Sequence, residues 1–329
     1  MKPTLKDIAE KTNLSITSVS LVINQRPNKL SKESRERILK AAQELNYQPT
    51  QKRRRQKCRS GKLLGLIVPS VCNSFFAEIV QGMDDCAQEN GWQILLATSD
   101  DDPEKEAQTL RVLENQRISG LVIASAASYD STTFSPPFHV VQVDRQSPRL
   151  EYSAVILNHK KGAYLATKHL LDLGHTRIAC VTGPQKHESA RQRLDGFFWA
   201  YEDAGIPCQA EQIFESDYTS SGGYEVAKEI LDGDFTAVFL GNDMMALGLY
   251  QRMGELGKKI PQDLSVVGFD DIDCAGLLDV PLTTVHQSGH DLGYAACQRL
   301  LTEMEDPEIS KQAIYFEPRL VVRRSTAPL

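Results

Sequence analysis

From Leu63 onward the chain alternates short runs rich in Val, Ile and Leu with longer amphipathic stretches. The runs are Leu64–Val68, Ile94–Ala97, Gly120–Ala124, Val140–Val143, Ile178–Thr182, Ala237–Leu240 and Val266–Phe269. Helical spacing of apolar residues marks 77–90, 104–115, 161–173, 190–204, 222–231 and 244–256. Strands apolar on both faces need a cover on both faces, which parallel sheets flanked by helices supply. About a dozen such elements are too many for one compact sheet, so two doubly wound parallel-sheet lobes are expected. In such sheets ligands bind beyond the carboxyl ends of the strands.

Other classes fall away on composition. At 329 residues the chain has room for two or three domains, and 41% hydrophobic residues suffice for a buried core. No apolar run approaches the ~20 residues that cross a bilayer. The first thirty residues lack a signal-peptide core, so a soluble, cytoplasmic protein without membrane partners is expected. Seven cysteines (58, 72, 86, 180, 208, 274, 297) never fall in a C-x-x-C spacing, which fits packed free thiols.

Charge is divided unevenly. Residues 1–62 hold sixteen basic against five acidic residues, net +11, while the remainder carries −17. A basic head on an acidic body points to a polyanion partner for the head. A solvated tail would lack the helical periodicity that 1–47 shows. Thr4 and Asp7 form a variant capping box for a helix burying Leu5, Ile8 and Ala9. Ser15 caps a second helix that ends at Asn24, with Val19, Val22 and Ile23 inward. Ser31 caps a third, with Ile38, Leu39, Ala42 and Leu45 inward. Two short helices, a tight turn and a buttressing third form a small all-α helix-turn-helix unit. Its second helix enters the major groove. Ser15, Thr17, Ser18 and Ser20 then reach phosphates or base edges, and Ile16 and Leu21 meet thymine methyls. Thr4 and Asn24, at the ends of the first two helices, complete the expected DNA contacts of the head.

The residues Leu5-x-Asp7-Ile8-Ala9, Val19-Ser20-x-Val22-x-Asn24 and Glu44-Leu45-Asn46-Tyr47-x-Pro49 resemble the head of the lactose/galactose repressor (LacI/GalR) family. The resemblance continues through Gly174-His175-Thr176-Arg177, Asn242-Asp243-x-Met245-Ala246, Val267-Gly268-Phe269-Asp270-Asp271 and Pro281-Leu282-Thr283-Thr284. It implies a homodimeric transcription regulator on a pseudo-palindromic operator, its DNA affinity altered by a small-molecule effector. It also implies a periplasmic-binding-protein-like core with chain crossovers near 158, 287 and 319. The expected division is a helix-turn-helix domain (1–48), a basic hinge (49–62) and an effector-binding, dimerising core (63–329). Within the core, 63–158 and 288–319 form an N-lobe, and 159–287 and 320–329 a C-lobe.

The hinge departs from the family. Arg53 and Gln56 stand where the family has Ala and a minor-groove-wedging Leu, and Lys52, Arg54, Arg55 and Lys57 surround them. An apolar wedge unstacks a base step, which Gln does poorly. Charge takes its place, so binding should depend more on salt and less on a central kink. A basic linker that stays irregular on DNA is the alternative, since clustered like charge disfavours a helix. The chain shows no heptad extension after 323–326, so a dimer is expected rather than a coiled-coil tetramer.

Reading the strand ends yields a set suited to a sugar: Asn73, Phe75, Phe76, Asp144, Arg145, Arg193, Tyr218, Asn242, Asp270 and Gln287. A sugar offers apolar C–H faces to aromatic rings and a rim of hydroxyls to Asp, Asn, Arg and Gln. Arg can span neighbouring oxygens with its fork. The set resembles that of ribose-binding members of the superfamily, with Ser125 where those more often have Asn, and Tyr218 for Phe. Ribose is expected first, a hexose next, and a purine last, because so many hydroxyl-matching groups would go unpaired against a base.

Catalysis has little support. His286-x3-His290 lacks the Glu of H-E-x-x-H, and phosphate-loop, nucleophile-elbow and dinucleotide motifs are absent. Asp270, Asp271 and Asp273 read as a loop with one ligand-binding member. Asp100, Asp101 and Asp102 read as a solvated loop before Pro103, favourable to the helix dipole. No cofactor or metal is expected. The competing class is a DNA-independent sugar sensor or sugar-active enzyme whose basic head serves localisation or oligomerisation.

Overall fold

The computed structural model describes residues 5–12, 14–23, 30–45, 62–126, 134–147 and 151–329. The chain divides into two units, Met1–Ser60 and Gly61–Leu329.

In the first unit, α1 (Leu5–Thr12), α2 (Ile16–Ile23) and α3 (Lys32–Glu44) bury Ile8, Ala9, Val19, Val22, Ile38, Ala41 and Ala42. The Leu14 amide donates to Ala9 O (3.1 Å), which ends α1. Ser15 Oγ accepts from the Ser18 amide (3.1 Å) and Ser31 Oγ from the Ser34 amide (3.2 Å), so the caps expected at these two serines form, while Thr4 lies outside the described residues. Leu39 corrects the expected core: it is 49% exposed. Ile38, Ala41, Ala42 and Leu45 make the i, i+3, i+4, i+7 stripe, and Leu39 lies on the adjoining face.

The second unit holds two six-stranded sheets. The first is built from β1 (Leu63–Val68), β2 (Gln93–Thr98), β3 (Gly120–Ile123), β4 (His139–Val143), β5 (Ser153–Leu157) and β11 (Ala313–Phe316), in the order β11-β5-β4-β3-β1-β2. The helices α4 (Ser74–Glu89), α5 (Pro103–Gln116) and α10 (Gly289–Glu305) belong to this lobe. The second sheet runs β12-β10-β9-β8-β6-β7. Its strands are β6 (Ile178–Thr182), β7 (Ile213–Glu215), β8 (Ala237–Leu240), β9 (Ser265–Asp270), β10 (Thr283–His286) and β12 (Arg319–Val321). It is flanked by α6 (His159–Asp172), α7 (Glu188–Asp203), α8 (Ser220–Asp232) and α9 (Asp243–Glu255). All pairings are parallel except β10 with β12.

The chain leaves the first sheet after β5, returns after β10 and crosses again between β11 and β12. Arg319 pairs with His286 in the second sheet, one residue earlier than the expected boundary. Within each lobe, helices meet through glycine. A Cβ on Gly82 of α4 would lie 1.9 Å from His290 O, and one on Gly293 of α10 2.1 Å from Ile79 O. The backbones touch there, leaving no room for a side chain.

Asp243, fully buried at the start of α9, ties strand ends together. It accepts from Thr284 Oγ1 (2.7 Å) and the Ile272 amide (3.0 Å). Burial pushes its carboxyl up to about 7. A raised folded value means stability present below the ordinary value near 3.8 and lost as pH climbs to about 7. Between pH 5 and 7.5 the unfolding free energy should therefore fall about 2–3 kcal/mol more in the wild type than in Asp243→Asn. Urea titrations of both proteins at the two pH values check this; parallel pH profiles would refute it.

Candidate functional site

The expected sugar-clamp residues come from both lobes, at the carboxyl ends of their strands. A cavity of about 310 Å3, its open mouth included, is lined by Asn73, Phe75, Phe76, Asp144, Arg145, Ser189, Arg193, Tyr218, Asn242 and Asp270. Asn73 caps α4 just after β1, accepting from the Phe75 amide (3.1 Å), and so sets Phe75 and Phe76 on the first turn. Asn242 does the same for α9, accepting from the Met245 amide (2.9 Å), while its Nδ2 donates to Tyr218 O (3.0 Å).

Three lining residues hold a left-handed backbone: Asp144 (φ 58°), Tyr218 (φ 67°) and Asp270 (φ 111°). Non-glycine residues rarely adopt it, and such strain gathers where a side chain must be aimed. Gly183 accommodates Tyr218, since a Cβ there would lie 1.9 Å from the Tyr218 ring.

Charge organises the interior. The Arg193 guanidinium lies 3.9 Å from the centre of the Phe269 ring, donates to Gly241 O and stands 3.8 Å from Asp270. Asp270 Oδ1 accepts from Gln287 Nε2 (2.6 Å). Burial drives the Asp270 carboxyl well above its ordinary value, against the pull of Arg193. Burial likewise raises Asp144, which Arg193 and Arg145 oppose. Behind them His159, first residue of α6, bridges the lobes: Nε2 is 3.3 Å from Asp144 O and Nδ1 is 3.4 Å from Arg193 Nη2. Burial and the neighbouring Arg193 hold it neutral, well below its usual range. In that form Nε2 donates to Asp144 O and Nδ1 accepts from Arg193.

Three buried polar atoms of the cavity lining lack a hydrogen-bond partner, Asp144 Oδ1, Arg193 Nε and Tyr218 OH, as does Gln287 Oε1 behind Asp270. Buried polar groups are normally paired, so these atoms are free to bond a molecule that enters the cavity.

Ser125, Gln287, Arg145 and Asp101 stand otherwise than expected. Ser125 is absent from the cavity lining, because its hydroxyl donates to Glu106 Oε1 (3.0 Å). Gln287 is also off the wall and acts on the cavity through Asp270. Arg145 faces the cavity, but its fork is engaged by both carboxylate oxygens of Asp101. Asp101 is therefore no part of a solvated loop. Asp102 alone caps α5, accepting from the Glu104 amide (2.8 Å). His286 and His290 bond different carboxylates, Asp271 (2.9 Å) and Asp85 (3.0 Å), so they do not converge.

The comparisons agree with this architecture. The periplasmic binding protein-like domain matches residues 167–326, and the lacI family of bacterial regulatory proteins matches residues 4–50. The ribose operon repressor of Haemophilus influenzae is 34% identical over 326 residues, 98% of each chain. The transcriptional repressor PurR of Vibrio vulnificus is 33% identical over 326 residues, 97% of each chain. This chain belongs to the lacI family. A solved LacI family transcriptional regulator from Enterococcus faecium, with bound ribose, is 31% identical with a TM-score of 0.74, covering 82% of this chain and 100% of that one.

In this lacI-family head, the residues expected on DNA fall into two groups. Ser15 is exposed, Ser18 and Leu21 are half-buried, and the Ser15 oxygen already serves as a cap. Thr4, Asn24 and the hinge residues Lys52, Arg53, Arg54, Arg55, Gln56 and Lys57 lie outside the described residues, as do the side chains of Ile16, Thr17 and Ser20. Ser189 and His159 were missed from sequence. Ser189 sits one turn before Arg193 on α7, and that i, i+4 spacing was the available signal.

Proposed function

We propose that this chain is a ligand-responsive transcriptional regulator, acting in the cytoplasm without a catalytic step. Its head grips operator DNA in the major groove, two copies acting on two half-sites, and its basic hinge adds phosphate contacts. The core takes a small neutral sugar, D-ribose first, between its lobes. The observation that carries the sugar reading is the set of buried, unpartnered polar atoms, Asp144 Oδ1, Arg193 Nε and Tyr218 OH, around one interlobe cavity beside Phe75 and Phe76. A polyol satisfies donors and acceptors together, while its C–H faces meet the rings. The ribose-bound relative supports the same choice.

Thermal-shift measurements against D-ribose, other pentoses, hexoses and purines test the core. The largest stabilisation is expected with a pentose, and a response to purines alone would overturn the sugar reading. Removing residues 1–60 should abolish retention on duplex DNA while leaving the sugar-induced stabilisation intact. For the full chain, affinity should fall on the order of 10³–10⁵-fold between 50 and 200 mM salt, as expected for six to ten phosphate contacts. Salt-insensitive retention, or none in the intact chain, would favour a sensor that does not use DNA.

A further inference from the structure

Beside the cavity, side chains of the two lobes meet directly. Asp101, in the loop between β2 and α5, holds the Arg145 fork with both carboxylate oxygens. From the other lobe, Lys186 Nζ donates to Asp101 O (3.1 Å). His187 Nε2 lies 3.9 Å from Asp101 Oδ1 and 3.4 Å from Arg145 Nη1. Arg145 and His187 are buried, whereas Asp101 keeps 30% of its side-chain surface exposed. The backbone is bent to make this contact, with Asp100 (φ 51°) and Asp101 (φ 56°) both left-handed. Two successive non-glycine residues in that region mark a loop held by what its tip touches.

We propose that Asp101, Arg145, Lys186 and His187 form a clasp that holds the two lobes together at the cleft mouth, and that Asp101 sets the balance between closed and open core. Its carboxylate accepts from Arg145 within its own lobe, and its backbone carbonyl accepts from Lys186 of the other. On one side it neutralises Arg145, which otherwise leaves a buried cation facing His187 across the lobe boundary. On the other, its backbone carbonyl anchors the loop that begins α7, the helix carrying Ser189 and Arg193. Burial and the Arg145 charge keep His187 uncharged, with a value near 3, so the clasp does not add a second buried cation. Arg145 also lines the cavity, so the clasp abuts the cleft directly. This builds on the reading of the cleft as a ligand site, yet it concerns the contact between the lobes, so the two stand or fall separately.

The test is pulsed electron resonance of the full-length chain without ligand. Spin labels at Glu114→Cys and Glu229→Cys, exposed positions on α5 and α8, report the interlobe distance. Cys58, Cys72, Cys208 and Cys274 are replaced by serine, and labelled chain is diluted with unlabelled chain. Asp101→Asn keeps a residue that tolerates the left-handed backbone but removes the charge. It should lower the closed-to-open ratio about tenfold. Lys186→Met, which leaves the Arg145 pairing intact, should shift it the same way by less. Asp100→Asn should leave it unchanged, since Asp100 pairs with Lys105 inside its own lobe. Melting curves confirm that each variant is folded. An Asp101→Asn distribution like the wild type, or an equal shift from Asp100→Asn, overturns the clasp. Adding D-ribose afterwards tests the ligand reading on its own.

Discussion

Asp270→Ala should weaken binding of the stabilising sugar by at least about 100-fold. Asp270 ends β9 at the cavity wall, fixed by Gln287 behind it and facing Arg193 at 3.8 Å. Its carboxylate can accept from two adjacent sugar hydroxyls. Without the carboxyl, two buried sugar hydroxyls are left unsatisfied at about 1–3 kcal/mol each, which amounts to roughly 10²–10⁴ in affinity. The variant also strands the Gln287 amide and removes the neighbour of Arg193 at 3.8 Å. Calorimetric titration measures the loss, and a melting curve establishes that the variant is folded. A dissociation constant within threefold of the wild type would remove Asp270 from the site.

The largest effect on stability belongs to Gly248→Val. A Cβ at Gly248 of α9 would lie 1.8 Å from Ser220 O and 2.6 Å from the Tyr224 amide nitrogen. Across the same contact, a Cβ on Gly223 of α8 would lie 2.0 Å from Met245 O. These are backbone atoms of a neighbouring helix, so relief requires α8 and α9 to separate along the face that covers the second sheet. Overpacking usually costs about 1–3 kcal/mol, but here no side chain can yield, so more than about 4 kcal/mol is expected. That corresponds to a fall of roughly 8–16 °C in melting temperature, or to insoluble protein. Gly254→Ala in the same helix meets nothing within 4 Å and should stabilise by about 0.5–1 kcal/mol. Equal melting temperatures for Gly248→Val and the wild type would mean that the helices are further apart than described.

The legible parts of the sequence share a cause: they rest on local periods. Leu64–Val68 and Ile178–Thr182 announce buried strands because every residue is apolar, and the helices after them show a 3.6-residue stripe. The strand following each glycine- or proline-marked loop then places Asn73, Asp144, Asn242 and Asp270 at carboxyl ends, where α/β sheets bind ligands. Other elements carried no such mark. α10 was not anticipated, because its buried face includes Arg299 and Glu303. Their charges are met by each other (2.8 Å), with Ser153 Oγ also at 3.1 Å from Arg299. Strand β7 has three residues and β12 only three, too short for a period to show.

What the sequence determined by itself is the division into a cationic helical head and an acidic α/β core, and the types of side chain at the strand ends. Those follow from charge, capping and hydrophobic spacing, which act over a few residues. Tertiary structure alone decided which of them meet. Arg145 finds Asp101 rather than open space, Ser125 turns to Glu106, and Gln287 stands behind Asp270. Each of these pairings joins residues from different elements. Their geometry is set by where the chain crosses between the lobes and by how closely the glycine-faced helices pack, and no local pattern encodes either.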